Sequence, residues 1–192
     1  MPFNESKKDE EKNGAGIGKR LYDARTIVIA SGINQKVARR VTEQLLAMST
    51  DSDEPIRLYI NSQGGHVESG DTIHDMISFV KPKVQIIGTG WVASAGAHIF
   101  LSVPVEDRYC LPNTRFLLHQ PSGGAGGSAT DIEIEADEII KMRQRLNEII
   151  SRQTGQPLEK VQDDTDRNFW MSAEEAKEYG LVGTIISSMD EL

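Results

Sequence analysis

A single cysteine, Cys110, stands among the 192 residues, so no disulfide can close within the chain and a reducing compartment suits it. Positive charge is also in deficit. The 21 Lys and Arg are outnumbered by 29 Asp and Glu, and the net charge of −8 argues against a nucleic-acid or anionic-membrane partner. No long apolar run is present either. The most apolar window, "VQIIGTGWVASAGAHIFLSV", is interrupted by Gln85, Thr89, Ser94 and His98, so no membrane span is expected. The opening "MPFNESKKDEEKNGAGIGK" has charges but no apolar centre, so no secretory signal is expected, and the cytoplasm is the predicted location.

What remains is ordinary globular material, 38% hydrophobic and 26% charged, of a length that fits one domain. Residues 1–19 lack a hydrophobic period and read as a mobile tail. Residues 20–192 then alternate between two periods. "TIVIAS", "IRLYIN" and "VQIIGTG" read as strands, with helices over "QKVARRVTEQLLAMST", "DTIHDMISFV" and Ser94 to Leu101. "RYCLPNTRFLLHQP" supplies two more extended pieces, and "LVGTIIS" a last strand. Such alternation predicts βαβ units and a mainly parallel α/β sheet. "SGGAGGS" cannot sustain a regular element without an outside partner. It leads into the longest predicted helix, where Ile139, Met142, Leu146 and Ile149 form a narrow seam. Core packing and oligomerisation are both open for that seam. Ser172 and Glu175 have capping-box spacing, with Gly180 as the stop.

Three glycine clusters could carry chemistry. "GTGWVA" matches a dinucleotide fingerprint, but the helix after it is too apolar and has few phosphate-facing donors. "GGAGG" has no Lys and Ser/Thr at Walker spacing. "INSQGGHVESG" follows a strand and opens onto a helix, so its bare backbone N–H groups could cradle an oxyanion, or it could be an ordinary tight turn. Ser94 sits in "VASAG", whose Ala93, Ala95 and Gly96 leave the room that a nucleophile at a strand-to-helix turn needs. A polar atom packed within a helix is the other reading. The base it would require could be His119, at the end of a strand in "LLHQP", with His66, His74 and His98 as other candidates. His74 and His98 fall within predicted helices and read as surface or packing residues.

"LYINSQGGHVESGDTIHDMISFVKPKV", "GWVASAGAHIFLS", "RYCLPNTRFLLHQPSGGAGGSATDIEIEADEIIKMRQRLNEI" and "DDTDRNFWMSAEEAKEYGLV" together resemble the proteolytic subunit of ATP-dependent Clp proteases (ClpP). The resemblance implies a crotonase-like fold of repeated β-β-α units. From it projects a strand-helix handle, here residues 122–153 of a single 20–192 peptidase domain. It implies Ser94 as nucleophile, His119 as general base, Gly65 and Ala95 N–H groups as the oxyanion hole, and Asn168 where the family carries its triad acid. It implies no metal or cofactor in the chain. The expected assembly is two stacked heptameric rings, fed with unfolded protein by a Clp-type AAA+ unfoldase that consumes the ATP. The chain departs from the family at Asn168, at Gln63 in place of a proline, at Ala95 in place of a methionine, at Arg57 in place of an aromatic, and in its polar N-terminal tail. Asn168 favours an alternative: a weakly active or scaffold subunit in mixed rings with a more active paralogue. A crotonase-type acyl-CoA enzyme would instead need a placed carboxylate.

Overall fold

The computed structural model describes residues 16–124 and 126–192. Of the expected tail, residues 1–15 lie outside the described residues, and residues 16–23 are helical (α1). The architecture is the expected α/β one. Seven strands form one sheet, β1 (Thr26–Ile29), β2 (Ile56–Ser62), β3 (Val84–Ala93), β4 (Arg108–Cys110), β5 (Arg115–Leu118), β6 (Phe169–Met171) and β7 (Thr184–Ile185). Neighbours run β1-β2-β3-β4-β7, and β5 lies between β3 and β6. Every pairing is parallel except that of β5 with β6. Besides pairing β2 on one edge, β3 is long enough to serve two partners on the other. Its first half pairs β4 through Ile86–Gly88 and its second half pairs β5 through Trp91–Ala93.

The helices behave as their sequences dictate. In α2 (Gln35–Asp51) the side chains at helical spacing, Val37, Val41, Leu45 and Met48, are buried, and the Asn34 side chain caps the N–H groups of Lys36 and Val37. These residues meet Ile27, Ile29, Leu58, Ile60 and Ile86 of the sheet in one core. α3 (Val67–Phe79) starts four residues before the expected Asp71, because His66 accepts the Ser69 N–H and serves as the cap. The short α4 (Ala95–Phe100) is buried throughout.

α5 (Ala129–Thr154) is the long helix, opened by a Ser128–Asp131 capping box and closed by Gly155 in the left-handed region. Its 26 residues span about 39 Å. Only its C-terminal part is packed, at Asn147, Ile149 and Ile150, while Ile132, Ile134 and Ile140 stand in solvent. The expected strand before it is absent: residues 122–124 and 126–128 make no β-ladder within this chain. Extended backbone needs a partner edge, and none is at hand there. α6 (Leu158–Thr165) and α7 (Ala173–Glu178) follow, with the predicted Ser172–Glu175 capping box in place.

Arg108 ties the base of α5 to the rest. Its side chain is buried and donates to the carbonyls of Val103 (2.7 Å), Gln153 (3.0 Å), Gly180 and Leu181 (both 3.4 Å). With no carboxylate bonded to it, burial pulls the guanidinium down to about 10. Arg108→Leu should strand these carbonyls and lower stability by about 3 kcal/mol. Urea unfolding at fixed protomer concentration measures this, and an unchanged midpoint would refute the anchoring role.

Candidate active site

The sheet topology delivers the site. In parallel strands all C-terminal ends lie at one edge, where loops open into clefts. Gly65 follows β2, Ser94 follows β3 and His119 follows β5. β6 runs antiparallel to β5, so Asn168, just before its start, reaches the same edge. Sequence reasoning singled out these residues from four separate segments, and the structure brings them together.

Ser94 occupies a strained turn, φ 55 and ψ −122, rare for a residue with a Cβ. Its N–H donates to Leu117 O (2.9 Å), which fixes the turn against β5. Small neighbours are required by contact. A Cβ placed on Gly64 would lie 2.6 Å from Ser94 Cβ and 2.8 Å from Ala93 O, so only glycine lets the β2 loop close on the turn. Gly65, at φ 146, bridges to Ile33, and its backbone N–H and that of Ala95 find no protein acceptor among the described residues. Unbonded N–H groups on two loops that pack together at Ser94 are the kind of donor an oxyanion hole requires.

Ser94, Ala95 and His119 line one cavity of about 30 Å³, walled by Val67, Leu118, Pro121, Leu146, Ile150 and His98. No hydrogen bond joins Ser94 Oγ to His119 in this state. The His119 Nδ1 lies 3.1 Å from Asn168 Oδ1, so an N–H there donates to the amide oxygen and leaves Nε2 free to face the cavity. The segment holding Asn168 is pinned by Gln120, whose backbone N–H donates to Thr165 O and whose side chain donates to Asp166 O, both at 2.6 Å. The nearby acids are engaged elsewhere. Asp164 accepts from Tyr179 Oη and Lys160 Nζ, and Asp166 from Arg143.

The other histidines have different partners. His66 caps α3 and contacts Glu68 at 3.2 Å. His74 and His98 stack face to face at 4.5 Å, and His98 Nε2 lies 2.9 Å from Asp71. Both are packing residues, as expected, but His98 also forms cavity wall, one helical turn beyond Ser94. That i, i+4 relation was the available signal for it. Asp71 also receives both terminal nitrogens of Arg145 from α5. Burial alone would push its carboxyl up, yet His98 and Arg145 hold it well below the usual carboxylate range. Cys110 is no nucleophile, since burial pushes its thiol up to about 12. Among the described residues no group of three or more His, Cys, Asp or Glu side chains could hold a metal ion, and no helix is long and apolar enough to cross a membrane.

The family model described as Clp protease matches residues 8–189. The chain belongs to the Clp protease family. It is 58% identical over 194 residues to the ATP-dependent Clp protease proteolytic subunit 3 of Rhizobium etli, covering 99% of this chain and 100% of that one. To the proteolytic subunit 2 of Gluconobacter oxydans it is 63% identical over 175 residues, covering 90% and 78%. An Asn-to-Asp point mutant of ClpP1 from Listeria monocytogenes superposes with a TM-score of 0.85 at 53% identity, over 91% of this chain and 98% of that one. The crotonase-like, ClpP-type fold follows from that superposition, and serine-peptidase chemistry is what the family implies.

Gly64→Ala tests the geometry of the turn. Its methyl group would displace Ser94, and a shift of about 1 Å can cost 100-fold in reactivity. Fluorophosphonate labelling of Ser94 should slow by at least about 10-fold. Labelling at the wild-type rate would show that the turn is not held by this contact.

Proposed function

We propose that this chain is a proteolytic subunit of an ATP-dependent Clp protease, hydrolysing peptide bonds of unfolded proteins through an acyl-enzyme on Ser94. The observation that carries this reading is the strained Ser94 turn sharing one cavity with a His119 that faces Asn168. His119 takes the hydroxyl proton at Nε2 as Ser94 Oγ attacks the scissile carbonyl, and returns it to the leaving amine. The N–H groups of Gly65 and Ala95 receive the developing oxyanion. Water, activated by the same histidine, then releases the acyl group. The chain needs neither metal nor nucleotide for these steps, and ATP is spent by a Clp-type AAA+ unfoldase partner in the cytoplasm.

The assembly proposed is two stacked heptameric rings enclosing the sites. The solvent-facing Ile132, Ile134 and Ile140 on the free half of α5 support a role for the handle in pairing the rings. Ile134→Asp with Ile140→Asp should therefore yield smaller particles in sedimentation. An unchanged particle would remove the handle from the pairing surface.

A second reading, a weakly active subunit in mixed rings with a more active paralogue, is favoured by Asn168. A neutral amide oxygen orients the imidazole but cannot stabilise the imidazolium as a carboxylate does. The gap between charged and neutral hydrogen bonds is about 1–2 kcal/mol, roughly 10-fold in rate. The homomer is thus expected to be a slow peptidase, dead as Ser94→Ala and faster as Asn168→Asp. The check is kcat on one short fluorogenic peptide, with particle size verified for each protein. Equal or lower activity in the Asp variant would sink the role given to Asn168, and residual turnover in Ser94→Ala that of the nucleophile.

A further inference from the structure

Trp91 and Trp170 are the only tryptophans in the chain, and they stack on each other on the outer face of the sheet. Their rings are 6.4 Å apart and within 4° of parallel. Arg115 completes the cluster, its guanidinium carbon 4.5 Å over the Trp170 ring, and it makes no ion pair among the described residues. Nothing in the catalytic scheme uses these three side chains. Trp91 and Trp170 remain 42% and 36% exposed, a position where a sheet ordinarily places polar residues.

Their addresses give the cluster a meaning. Trp91 lies on β3 three residues before Ser94. Arg115 lies on β5 four residues before His119, and Trp170 on β6 two residues after Asn168. Trp91 is the register partner of Arg115, and Trp170 that of Leu117. Thus each strand bearing one member of the proposed Ser–His–Asn set contributes one side chain to a single stack. On the opposite face Val92, Phe116 and Met171 line up across the same strands and are buried.

β6 is where such a clamp matters. It has three residues and pairs with β5 alone, so few ladder bonds hold it. Asn168 itself is exposed, with His119 as its side-chain partner. A one-residue slip of β6 would turn Trp170 to the core face and carry Asn168 away from His119. Stacking and the cation over the ring oppose that slip.

We propose that Trp91, Trp170 and Arg115 are positioning residues for the reaction, fixing the register of β3, β5 and β6 so that Asn168 stays on His119. The inference rests on the proposed roles of Ser94, His119 and Asn168. It makes the effect of the stack on rate pass through Asn168, which a merely structural contact would not.

The test is the rate of Ser94 acylation by a fluorophosphonate, followed by intact mass on assembled protein of verified particle size. Trp170→Ala should slow acylation about 5-fold, and Trp170→Phe, which keeps a ring, less than about 2-fold. Asn168→Ala should slow it by at least the same about 5-fold factor. Combining Trp170→Ala with Asn168→Ala should add nothing further. Loss of the exciton signal of the tryptophan pair in circular dichroism should accompany Trp170→Ala. Two independent, multiplying effects would overturn the proposal, as would smaller particles whose acylation rate per intact particle is unchanged, since the stack would then be a subunit contact. An unlabelled wild-type Ser94 would instead overturn the proposed catalytic roles, and the clamp with them.

Discussion

Ser94 holds a backbone conformation that costs about 1–3 kcal/mol for a residue other than glycine, and the candidate site exists only while the surroundings enforce it. Three contacts do so. The Ser94 N–H is bonded to β5 through Leu117, Gly64 presses backbone against the turn from the β2 side, and the all-buried α4 leaves no room to relax. In the same packed region the N–H groups of Gly65 and Ala95 have no acceptor among the described residues. The strained turn and the two proposed oxyanion donors thus lie side by side in the chain, at Ser94–Ala95 and in the Gly64–Gly65 loop packed on it.

That arrangement depends in turn on the sheet. Three parallel strands place a glycine loop, the proposed nucleophile Ser94 and the proposed base His119 at one edge without any side chain having to reach far. The fourth member cannot come that way. Asn168 arrives just ahead of β6, the only antiparallel strand among the described residues, at the sheet margin, and is steadied by Gln120 bonding to the segment before it. The site thus has a rigid half built on β2, β3 and β5, and a less secured half built on β6.

The sequence made the rigid half readable and the rest less so. Buried positions such as Val37, Val41, Leu45 and Met48 repeat at helical spacing, and Ser172 with Glu175 is a local signal complete in itself. The small residues around Ser94 were legible as a local run, and contacts account for two of them: a Cβ on Gly96 would lie 3.2 Å from Ser62 O, and Ala95 packs against Gly70. The roles of Asn168, Gly65 and Ala95 came from the family resemblance, since no local pattern announces a residue that works 49 positions from its partner. The early start of α3 was missed because a histidine, His66, does the capping that Ser, Thr, Asp or Asn usually does. The Gly-rich lead-in to α5 has no strand here, since it pairs with no strand edge among the described residues.

An amide in place of a carboxylate changes what the structure must control. A carboxylate attracts an imidazolium by Coulomb force, which falls off slowly with distance, so small displacements cost little. An amide oxygen acts through a hydrogen bond that weakens steeply with distance and angle. Asp164 and Asp166 are engaged elsewhere, Asp164 with Lys160 and Tyr179 and Asp166 with Arg143, and neither is hydrogen-bonded to His119 among the described residues. On the proposed roles, the histidine relies on where Asn168 is placed more than on how strongly it attracts. The placement is set by a three-residue edge strand, so on the proposed mechanism the side chains that hold that strand in register would carry a share of the chemistry that a carboxylate otherwise supplies.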